Sequence, residues 1–232
     1  MRIPLALITA FSLGACVAPQ PTAAPAPDNA APTAVPVSVA RAIEVTRRIE
    51  PVAEAVCRAE TPQQNCDFNI FVNRDPRLGV NAFQTIDPES GRPVIILTVG
   101  LIRAVRNDDE LAFVIGHEAA HHIAQHIAAQ QAAAQAGAQI FGANAQQQGF
   151  SRAQVIEAAN LGALVGARRF GQAAELEADA LGTLIGCAAG YDAIVGARFF
   201  TQLPDPEADI LSTHPPNARR VEIVRRAAAE FC

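Results

Sequence analysis

The chain has 232 residues, half of them hydrophobic, enough for one well-buried domain and too few for two large ones. All 18 basic residues are arginine and the net charge is -5. No basic stripe with interleaved aromatics occurs, so nucleic acid is excluded as an expected partner.

In chain order, Arg2 is followed by an apolar run from Ile3 to Leu13, the length of a signal-peptide core and too short to span a bilayer. It ends in Leu13-Gly14-Ala15-Cys16, which resembles the bacterial lipobox, so residues 1–15 are expected to be a lipoprotein signal peptide and Cys16 the lipidated mature N-terminus. The rival is an ordinary signal peptide cut near Ala15 or Ala18. Val17 stands where an aspartate would resemble an inner-membrane retention signal, which by analogy points a periplasm-facing lipoprotein to the outer membrane. Residues 16–40, rich in Ala and Pro, read as a tether, and a lipid anchor is the only membrane contact expected.

Residues 41–232 read as the folded domain. A helix is expected over 41–58 with a bend at Pro51. DFNIFVN (67–73), NAFQTI (81–86) and VIILT (94–98) read as strands, the last two as a hairpin around DPESGRP. Asn107 with Glu110 resembles a helix cap, and the helix it launches is expected to run to at least Gln130. Residues 131–150 are Ala, Gln and Gly with few anchors, so helix and loop both stand. Ser151 should cap a helix over VIEAANLGALVGARRF, with Gly162 and Gly166 allowing close packing, and AAELEADALGTLIGCAA should form a separate one. A loop through His214 precedes the last helix, NARRVEIVRRAAAEF.

With Cys16 set aside, Cys57, Cys66, Cys187 and Cys232 are an even number, as an oxidising compartment favours. Cys57 with Cys66 and Cys187 with Cys232 is the preferred of three possible pairings. A buried thiol at Cys187 is the alternative.

Residues 113–126, FVIGHEAAHHIAQH, hold four of the five histidines. On a helix His117 and His121 lie about 40° apart on one face, where two imidazoles can reach one metal. Glu118, about 100° round, is placed to hold a water rather than to compete as a ligand. His122 and His126 fall on another face and read as supporting histidines, a second metal site being the alternative. A catalytic zinc needs a third protein ligand. Glu175 and Asp179, at i and i+4, offer a ligand and an acceptor for the second N–H of a zinc-bound imidazole. Glu177 points elsewhere and reads as a solvated charge near Arg168 or Arg169.

The blocks NAF (81–83), NDDELAFVIGHEAAHHIAQH (107–126), ELEADALG (175–182) and STHPPNARR (212–220), in this order, resemble the HtpX and CAAX-prenyl-protease group of zinc metallopeptidases, above all its periplasmic and lipoprotein members. The resemblance covers about residues 41–232. It implies an α+β, mostly helical, gluzincin-type metallopeptidase domain with a small sheet. It implies one zinc per chain on His117, His121 and Glu175, Glu118 as general base, Asp179 behind the ligands, and Arg220 near the active site. Ala120 departs from the more usual glycine, and the membrane helices of HtpX-type relatives are absent.

The expected function is thus a zinc-dependent endopeptidase degrading misfolded or misassembled envelope polypeptides. An extended substrate is expected to add to a sheet edge at Asn81, Ala82 and Phe83. His214, stiffened by Pro215 and Pro216, is expected either to donate to the oxyanion or to hold the enzyme latent as a fourth ligand. The rival classes are an outer-membrane assembly chaperone with a structural or latent zinc site, and a metal-free lipoprotein.

Overall fold

The computed structural model describes residues 37–205 and 215–232. Helix α1 (Val39–Glu60) starts where the Ser38 hydroxyl accepts from the Arg41 N–H, and it buries Ala42, Val45, Ile49, Ala53 and Cys57 at helical spacing. It thus begins two residues ahead of the expected domain start at Arg41, and Val37 is already buried, within the stretch read as tether. Pro51 lies inside α1 without ending it. A disulfide from Cys57 to Cys66 joins the last turn of α1 to the segment entering the sheet.

The sheet has three strands, β1 (Asn69–Asn73), β2 (Ala82–Ile86) and β3 (Pro93–Thr98), in the order β1-β3-β2. β3 is the centre, buried at every position except Ile96, as its unbroken apolar run PVIIL requires. It pairs antiparallel with β2 through the expected hairpin and parallel with β1. β2 is therefore an edge.

Thr98 caps the short α2 (Val99–Ala104), and Asn107 caps α3 (Asp108–Ile123) by accepting from the Glu110 N–H at 2.8 Å. Carboxylates Asp108, Asp109 and Glu110 in the first turn match the positive end of the helix dipole. α3 is the central helix, buried nearly all round between α1, the sheet and α5. Leu111 and Ile115 meet Ile49, Ile95, Leu97 and Leu101 in the core.

Beyond Ile123 the structure departs from the expected single helix to Gln130. Gln125 takes a left-handed conformation, φ +56°, and a new helix, α4 (His126–Gln147), starts after it. Residues 131–147 are thus helical throughout. Ser151 and Gln154 form a reciprocal cap for α5 (Arg152–Ala188), one continuous helix where two were expected. α4 and α5 form a hairpin whose backbones nearly touch: a Cβ on Gly162 would collide with the Gly137 carbonyl oxygen.

After α5 come the single turn α6 (Ala193–Gly196), a 3-10 turn at Ala197–Gln202 and α7 (Asn217–Phe231). Cys187 and Cys232 form the second disulfide, tying the end of α7 to the end of α5. No helix among the described residues is long and apolar enough to cross a membrane.

Candidate metal centre

The site lies where α3 crosses α5, and the crossing is close because both helices present glycine there. A Cβ on Gly182 would lie 2.8 Å from the His117 backbone nitrogen, and one on Gly116 would lie 2.9 Å from the Gly182 carbonyl oxygen. Two turns of α5 beginning at Glu175 therefore face the last two turns of α3. The Nε2 atoms of His117 and His121 approach to 3.0 Å, and the Glu175 carboxylate stands 3.6 Å from the first and 3.4 Å from the second. Ligand atoms of these three residues all lie within 4.8 Å of one another, the only such cluster of three or more His, Cys, Asp or Glu among the described residues. Two imidazole nitrogens and one carboxylate form a donor set that suits a metal ion.

Asp179 sits directly behind. It is fully buried, and its Oδ1 is 2.9 Å from His117 Nδ1. Burial pushes the Asp179 carboxyl up, but the Arg220 guanidinium and the His117 hydrogen bond outweigh it and hold the group below the ordinary carboxylate range. An ionised carboxylate only accepts, so His117 Nδ1 donates and its Nε2 faces His121 and Glu175. Burial pulls His117 down, yet hydrogen bonds to Asp179 and Glu175 lift its pKa to about 10. The two carboxylates thus favour positive charge on the ring between them.

Arg220 comes from the first turn of α7 and closes the site. Its Nε and Nη2 each donate to Asp179 at 2.8 Å, Nη2 lies 3.3 Å from Glu175, and the guanidinium stacks 3.8 Å from the centre of the Phe200 ring. Phe200 carried no signal in the sequence; it is one of two adjacent phenylalanines in a 3-10 turn.

Glu118, buried, faces the same pocket as His117. Asn81, Ala82, Phe113, Arg220, Phe199 and Phe200 line it as well. The edge strand β2 thus begins at the mouth of the site. Asn81 and Ala82 line the pocket, whereas Phe83, one residue on, lies on the opposite face of β2.

The other histidines hold the supporting places expected of them, though not on one helix face. His122 and His126 do not share a helix face, because the turn at Gln125 separates them. His122 Nε2 bonds the Asn65 carbonyl at 2.8 Å and its ring meets the edge of Phe68, while burial holds its pKa low. His126 instead turns back, its Nδ1 2.9 Å from His121 Nδ1. Burial first, then the neighbouring His121, holds the His126 pKa below its ordinary value. Glu177, expected near Arg168 or Arg169, has its carboxylate 3.4 Å from His126 Nε2. Cys16 and His214 lie outside the described residues.

A mostly helical α+β domain with two histidines of a His-Glu-x-x-His helix and a glutamate of a later helix on one cluster defines a metallopeptidase-type site. Residues 40–228 match Peptidase family M48, and the chain belongs to that family of metallopeptidases. No curated protein matches the chain.

Proposed function

We propose that this protein is a zinc-dependent endopeptidase of the bacterial cell envelope that degrades misfolded or misassembled polypeptides. The observation that carries the chemistry is the convergence of His117, His121 and Glu175, with Asp179 behind them and Glu118 beside them. Those three residues would hold one zinc ion, which supplies Lewis-acid polarisation of the scissile carbonyl and makes water more acidic. Glu118 takes the proton of the attacking water and passes it to the leaving nitrogen. Arg220, with its two hydrogen bonds to Asp179, keeps that carboxylate ionised and so keeps the His117 proton on Nδ1.

The substrate is an extended chain. β2 is a sheet edge, and its first residues border the pocket, so backbone pairing there aligns a peptide across Glu118 with little demand on its sequence. Such recognition suits unfolded proteins. The lipobox-like Cys16, the Ala/Pro tether and the paired cysteines support a lipid-anchored protein facing the periplasm, with the outer membrane as its destination.

The test is metal analysis and cleavage of unfolded casein by the purified full-length lipoprotein. The proposal predicts about one zinc per chain and cleavage that a chelator abolishes and zinc restores. Zinc-bound protein that prevents casein aggregation without cleaving it would replace this reading with the chaperone.

A further inference from the structure

We propose that His126 and Glu177 form a second hydrogen-bond relay that fixes the tautomer of His121, as Asp179 fixes that of His117. The inference rests on the zinc reading above. A metal can bind Nε2 of both histidines only if each carries its proton on Nδ1. For His117 the acceptor is Asp179. For His121 the one partner at Nδ1 among the described residues is Nδ1 of His126, at 2.9 Å.

Two nitrogens facing each other need one donor and one acceptor, and Glu177 decides which is which. Its carboxylate accepts, so His126 Nε2, at 3.4 Å, donates; a neutral His126 then has a bare Nδ1 that accepts from His121 Nδ1–H. The lone pair of His121 Nε2 is left facing His117 Nε2 and Glu175. His126 is buried and its ring meets the edge of Phe170, which limits how it can turn.

The backbone is built for this contact. Gln125 is the one non-glycine residue with positive φ among the described residues, and it sits immediately before His126. Had α3 continued unbroken, His126 would lie five positions past His121, about 140° round the helix and facing away from it. The left-handed turn instead folds His126 back onto the metal ligand, and unfavourable backbone of this kind persists where the surroundings demand it. His126 is therefore a positioning residue that acts through His121.

The test uses the full chain and two variants, His126→Phe, which keeps a ring against Phe170, and His126→Asn, which keeps an acceptor near the Nδ1 position. Zinc affinity is measured by competition with a chromophoric chelator. His126→Phe should weaken zinc binding by roughly 10 to 100-fold, and His126→Asn should recover most of that loss. Histidine-labelled NMR of the zinc-loaded wild type, independent of any variant, should show His121 carrying its proton on Nδ1 with slow exchange. Equal affinity in wild type and His126→Phe, no recovery in His126→Asn, or a proton on His121 Nε2 would each overturn the relay. A wild type that binds no zinc overturns the zinc reading itself, and the relay with it.

Discussion

Asp179 serves two partners with two oxygens: His117 on Oδ1, and Arg220 on both. Its loss should therefore differ in kind from loss of a ligand. Glu175→Ala should abolish tight zinc binding, whereas Asp179→Asn, which keeps the shape and removes the charge, should weaken it by roughly 10 to 100-fold in a chelator competition. Equal affinity in wild type and Glu175→Ala would remove Glu175 from the ligand set. The raised His117 pKa adds a pH signature. Its folded value of about 10 exceeds the ordinary 6.5, so in metal-free protein its charged form contributes stability fully below 6.5, lost as pH rises through about 10. Metal binding runs the opposite way, because it requires the neutral imidazole. Zinc uptake near pH 7.5 should release about one proton from His117, seen as a calorimetric enthalpy that varies with buffer ionisation enthalpy, and affinity should rise with pH toward 10. An enthalpy independent of buffer would contradict the assignment.

At the scale of elements, the crossing of α3 over α5 sets the ligand geometry. Gly182→Ala places a methyl 2.8 Å from backbone, with no flexible side chain to yield, so the helices must part. It should destabilise the protein by about 1–3 kcal/mol and weaken zinc binding. Gly186→Ala, one turn further along α5, meets nothing within 4 Å and is the matched control, expected to be neutral or slightly stabilising in thermal melts. Similar effects of the two substitutions would mean that the crossing does not set the site. Much of this level was legible in the sequence. The i, i+4 pairs His117/His121 and Glu175/Asp179 each name one helix face, and local spacing is enough for that. The break at Gln125 was not legible, because glutamine is a good helix former and only the fold pulls it into the left-handed region. Glu177 is exposed, as a solvated charge should be, but its partner His126 was not legible for the same reason, since that turn brings the two together. The two helices expected over 155–170 and 173–189 leave Gly171 and Gln172 between them, and a glycine there is tolerated inside a helix packed along α4.

At the scale of the whole molecule, the two disulfides fasten different lengths of chain. Cys57–Cys66 spans 9 residues and Cys187–Cys232 spans 45. The chain-entropy relation gives about 2.5 kcal/mol for the short loop and about 4 kcal/mol for the long one, so Cys187→Ser should lower the denaturation midpoint more than Cys66→Ser. The long bridge also anchors α7, which carries Arg220 into the site, so the reduced protein should lose zinc affinity along with stability. A larger loss from Cys66→Ser would show that native strain or residual denatured structure outweighs loop length. Pairing of these cysteines was legible from their number and spacing, whereas the parallel pairing of β1 with β3 was not, since it depends on a crossover that no short stretch encodes.

If the His117, His121 and Glu175 cluster holds zinc for peptide hydrolysis, Glu118 is the group that carries the proton. Glu118→Gln keeps the size of the side chain and removes its basicity. Zinc content and casein cleavage of the full chain, wild type beside Glu118→Gln, test this most directly. Both proteins should hold about one zinc per chain, and the variant should lose cleavage by several orders of magnitude. Undiminished cleavage by Glu118→Gln, or loss of its zinc, would contradict it.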